Sequence, residues 1–131
     1  MNKYVEVTNM ERLQAILKRL YQDRSCTPFI ITEATEVDGE VDTGGKMVDL
    51  TPDQISVLLE GATLARLEVL QGSVGGLIQP IYFQSDAANE MWTVYANEEG
   101  WTLAENPIAS LLFSQKLVGP ILIMGKQFDG D

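Results

Sequence analysis

The chain has 131 residues, 45% of them hydrophobic and 21% charged, enough to bury one core without staples and outside the composition of disordered chains. A single cysteine, Cys26, and the lack of histidine exclude an intrachain disulfide framework, a Cys/His zinc site and the commonest catalytic base. A net charge of −10 works against binding phosphate backbones or anionic lipid.

That charge is uneven. Residues 1 to 26 hold Lys3, Arg12, Lys18, Arg19 and Arg24 against Glu6, Glu11 and Asp23, whereas the remainder holds only Lys46, Arg66, Lys116 and Lys126 against the other acids. The opening residues Met1 to Glu6 carry no apolar signal segment and no stretch reaches the length of a membrane span, so the expected setting is the cytoplasm.

Tyr4, Val5 and Val7 suggest a short first strand, and Thr8 to Glu11 has capping-box spacing ahead of a helix. Leu13, Ile16, Leu17, Leu20 and Tyr21 form one apolar stripe, which predicts docking through that face, with Arg12, Lys18 and Arg19 away from its centre. After Thr27-Pro28, the β-branched and aromatic run Phe29 to Val37 predicts a strand that turns at Asp38-Gly39 and returns from about Glu40 to Val48. Thr43-Gly44-Gly45 interrupts the return as a bulge or loop tip.

Thr51-Pro52-Asp53-Gln54 predicts a helix start, Gly61 an end or bend, and Leu64, Leu67 and Leu70 a continuation in shifted phase to Gly72. Leu77 to Phe83 is a strand whose Pro80 implies an edge position or a bulge, and Met91 to Ala96 is another. Asn97 to Gly100 is a turn with glycine at positive φ, and Trp101 starts back. Asn106-Pro107 caps and begins a short helix to Phe113, and Ile121 to Met124 is a final apolar run. The fold class is therefore α+β, one small domain with a largely antiparallel or mixed sheet and two to four short helices.

No motif supplies a nucleophile with a base, so the expectation is a non-enzyme without cofactor or metal. Glu36, Asp38, Glu40 and Asp42 alternate as in a calcium loop, but Val41 stands where an EF-hand needs glycine and Met47 where it needs glutamate. Alternation would set most of these acids on one solvated face, a candidate surface for a basic protein partner. Gly72 to Gly76 could cradle an anion, but the segment follows a helix instead of preceding one, so helix termination is the better explanation of these glycines. Gly75 and Gly76 with Tyr82, Trp92 and Trp101 make up the alternative, a small-ligand or nucleotide site. Homo-oligomerisation stays open.

Leu70 to Ile78, Asn97 to Gly100, Asn106-Pro107 with Ala109-Ser110, and Gly119 to Ile123 together resemble a phage- and plasmid-borne family, domain of unknown function 3846. The resemblance spans about residues 63 to 125, leaving 1 to 62 as a strand-helix-hairpin-helix extension, and Gln84 to Glu90 is longer than the loop expected there. It implies a phage or mobile-element setting inside bacteria and assigns no activity or site residue. The motif glycines and asparagines read as turn and cap positions.

Overall fold

A computed structural model of the chain describes residues 10–22, 28–85, 90–99 and 103–124. The first strand expected at residues 4–7, the capping box at 8–11, Cys26, Gly100 and Trp101 lie at least partly outside them. The elements run α1 (Met10–Gln22), β1 (Phe29–Ile31), β2 (Thr35–Val37), β3 (Glu40–Asp42), β4 (Met47–Asp49), α2 (Pro52–Glu60), α3 (Thr63–Val74), β5 (Ile78–Ser85), β6 (Glu90–Asn97), α4 (Pro107–Phe113) and β7 (Ile121–Ile123). Among the described residues, four helices and a five-stranded antiparallel sheet make a small α+β fold, as the mixed helical and strand periodicities predict.

The sheet has the order β4-β1-β7-β6-β5. Its centre is β7, whose three residues are all buried because both faces are covered. On one face Ile121 and Ile123 join Phe29, Ile31, Val94 and Ala96 beneath α1 and α4, with Ile16, Leu20, Ile108 and Phe113 filling the layer. On the other, Leu122 and Met124 join Leu50, Leu58 and Val74 beneath α2 and α3. Strands of a sheet buried on both faces read as continuous apolar runs, which is what Phe29-Ile30-Ile31 and Ile121-Leu122-Ile123 are.

Local signals set several boundaries. Thr51 and Gln54 form a complete capping box, each side chain bonding the other residue's backbone, with Pro52 in the first turn. Gly61 closes α2 through its amide to the Val57 carbonyl. The third helix passes through Gly72 to Val74 and is capped by Gly75 in the left-handed region, three residues beyond the glycine expected to end it, with Gly75 and Gly76 amides both donating to the Gln71 carbonyl. Pro80 sits on β5, the sheet edge, where a missing amide is tolerated. Strands β5 and β6 extend to Ser85 and Glu90, so Gln84, Ser85 and Glu90 of the segment read as a long loop pair within the hairpin.

The hairpin after Pro28 differs from expectation. Instead of one long pair, β1 joins β4 in the main sheet and β2 joins β3 in a separate two-stranded ribbon. The break falls at Gly44 and Gly45, with φ of 80° and 83°. A side chain at Gly44 would collide with the Glu33 carbonyl, and one at Gly45 with Ile108, so the bend needs glycine twice. Across it, Gly45 donates to the Thr32 carbonyl and Thr32 to that of Lys46.

Helix α1 docks through Ile16 and Leu20, which are buried, with Leu13 packed beside them. Leu17 corrects the predicted stripe, since it is 36% exposed at the margin of the contact. Removing a buried branched side chain leaves a cavity, so Ile16→Ala should cost about 2–5 kcal/mol in urea melts. Leu17→Ala should cost about 1 kcal/mol or less; equal losses would show that the helix is docked in another rotation.

Candidate functional site

The ribbon β2–β3 turns through Asp38 and Gly39, both at positive φ (54° and 81°), the two-residue geometry that the Asp-Gly pair predicts. Its register pairs Thr35 with Asp42, Glu36 with Val41 and Val37 with Glu40. Opposed residues share a face, so Glu40 and Asp42 fall with Thr35 and Val37, while Glu36 falls on the reverse side with Val41. The expected single acidic face is therefore split. A two-residue turn exchanges odd and even positions between the strands, so acids at alternate positions of the two strands do not all share one face.

Asp42 is held apart from the other three. Its carboxylate accepts from the Arg12 guanidinium at 2.6 Å and from the Gly44 amide at 2.8 Å, and Lys46 lies 3.7 Å away. Arg12 also donates to the Gly44 carbonyl. These contacts clamp α1 to the base of the ribbon, a structural role. Glu36, Asp38 and Glu40 are exposed, and none of the ion pairs among the described residues involves them. A second clamp joins Arg19 to Asp49 at 2.6 Å, with the guanidinium 4.2 Å over the Phe29 ring, so two cations of α1 lie on its docked side.

The glycine segment offers no cradle distinct from the helix end: Gly75 and Gly76 close α3, and Gly76 abuts the Asn97 side chain. Asn97, buried at the end of β6, donates to the Val74 carbonyl and accepts from the Glu99 amide. Tyr82 stands opposite Thr93 and Trp92 opposite Phe83 in the β5–β6 register. Trp101 lies outside the described residues.

A half-open cavity of about 440 Å³ lies elsewhere, between the α2–α3 pair and the sheet. Leu58, Leu67, Leu70 and Met124 give it apolar walls, Thr63, Thr93 and Tyr95 polar atoms, and Arg66 a charge. Sequence reasoning did not place it, because the walls come from α2, α3, β6 and the residue after β7, and leucines at helical spacing read as core. Its one visible signal is Arg66, a rare cation in the acidic part of the chain.

Comparison with family models, curated proteins and solved structures finds no match to this chain. Among the described residues, no helix is long and apolar enough to cross a membrane, and no three His, Cys, Asp or Glu side chains gather in metal-binding geometry.

The Arg12 hydrogen bond, then the Gly44 amide, hold the Asp42 carboxyl below its ordinary value of 3.8. A lowered folded pKa stabilises the protein fully above the ordinary value, and that contribution is lost as pH falls through the lowered one. Asp42→Asn should therefore lose less stability than wild type on acidification below about pH 4. The difference should be about 1 kcal/mol or less, because the pair is a third exposed and screened by solvent. Parallel acid limbs in urea melts at successive pH values would contradict the clamp.

Proposed function

We propose that the protein is a non-catalytic binding module that engages a basic protein partner through the β2–β3 ribbon. The observation that carries this reading is the presentation of Glu36, Asp38 and Glu40 on a two-stranded ribbon outside the main sheet, its base fixed by the Arg12–Asp42 clamp. Exposed like charges on a fixed scaffold steer an oppositely charged partner and fall off within about 8 Å at physiological salt. Acids on both sides of the ribbon suit a partner that wraps its tip. The resemblance of residues 63 to 125 to domain of unknown function 3846 supports a phage or mobile-element setting and action in the bacterial cytoplasm.

A small-ligand reading is favoured by a different observation, the cavity under α2 and α3, whose lining is a different set of residues from Gly75 and Gly76. A cavity of this volume falls in the usual range of ligand sites, about 300–1,000 Å³.

The ribbon reading is tested by affinity purification from bacterial lysate with wild type and with E36Q/D38N/E40Q as bait. Asn tolerates the positive φ of position 38, so the variant keeps the turn. A basic protein retained by wild type, released by salt and lost with the variant is the expected result. Identical proteins on both baits would remove the ribbon from the account.

A further inference from the structure

We propose that the half-open cavity beneath α2 and α3 binds a small amphipathic anion, an aliphatic chain ending in a carboxylate. The inference deepens the small-ligand reading and is independent of the acidic ribbon. Its basis is the distribution of chemistry along the walls. Leu58, Leu67, Leu70 and Met124 present aliphatic and thioether surface, which gains from covering by a hydrocarbon chain at about 25 cal/mol per Å². Arg66 is the sole charged residue among the described lining residues, and none of the ion pairs among the described residues uses it.

Part of the polar lining is grouped at the start of α3, while Thr93 and Tyr95 lie across from it on β6. Thr63 and Arg66 are three residues apart in the first turn of α3, hence neighbours on one side of the helix. Ala62, at the N-cap position, offers those first amides no side-chain acceptor, so the positive end of the helix dipole adds to the guanidinium. In a chain of net charge −10 a cation would be attracted almost anywhere, yet no described acid lines this cavity. An anion is repelled by the chain as a whole and attracted at this place, which makes the site selective for one. A planar guanidinium pairs with a carboxylate through two parallel hydrogen bonds. One cation does not suffice for a triphosphate, so a nucleotide fits worse than a fatty carboxylate.

The test is titration of decanoate and of decanol, both below their aggregation concentrations, into isotope-labelled protein followed by NMR. The proposal expects decanoate to bind more tightly than decanol and to shift signals of Leu67, Leu70, Thr93 and Met124. Arg66→Gln, at an exposed helical position, should weaken decanoate about five- to tenfold and leave decanol unchanged. If both probes bind equally, or the variant binds decanoate as wild type does, the anionic specificity is overturned while a ligand cavity stands. If neither probe binds there, the small-ligand reading falls with it.

Discussion

The side chain of Asn106 is the contact on which the arrangement of layers depends. It is fully buried, and both ends of its amide are used. The oxygen accepts from the Ala109 amide and caps α4, while the nitrogen donates to the carbonyls of Ile31 at the end of β1 and Gly119 before β7. Its backbone donates to the Leu117 carbonyl and accepts from Ser110. One residue thus satisfies groups from a helix, a strand and a loop that would otherwise be buried without partners, at a cost of about 1–3 kcal/mol each. No other small side chain offers an acceptor and two donors in that span. The central strand β7 and its pairing with β1 are positioned by this junction.

Charge organises the outer layer as the amide organises the inner one. The chain is strongly acidic, yet Arg12 and Arg19 of α1 are committed to Asp42 and Asp49 on the hairpin it covers. Pairing Asp42 at the base of the ribbon leaves Glu36, Asp38 and Glu40 outside the ion pairs among the described residues. Arg66, far along the chain, adds a positive charge to the lining of the cavity under α2 and α3. The two candidate binding features therefore have opposite sign and are built from different elements, so each can be altered without the other.

What the sequence made legible was local. The Thr51–Gln54 capping box, the Asp38-Gly39 turn, the Asn106-Pro107 cap and the edge position of Pro80 are each specified within a few residues, and the structure has all four. The α+β class followed from the same signals. What was not legible depended on contacts distant in sequence. Asn106 read as a cap, but its bond to Ile31 spans 75 residues. Leu17 shares a stripe with Ile16 and Leu20, and only the rotation of α1 on the sheet exposes it. The division of the acids between two faces follows from turn length, and the withdrawal of Asp42 from their number follows from an arginine 30 residues away.

The central claim is that Asn106 acts as a junction and not only as a cap, and an aspartate at this position separates the two most directly. Asp and Asn cap helices about equally well, so a capping role alone predicts that Asn106→Asp changes stability by less than about 0.5 kcal/mol. A carboxylate facing the Ile31 and Gly119 carbonyls has no donor and buries charge, so the junction predicts a loss of at least about 3 kcal/mol in urea melts at neutral pH, no smaller than that of Asn106→Ala. Near-wild-type stability of Asn106→Asp would contradict the account.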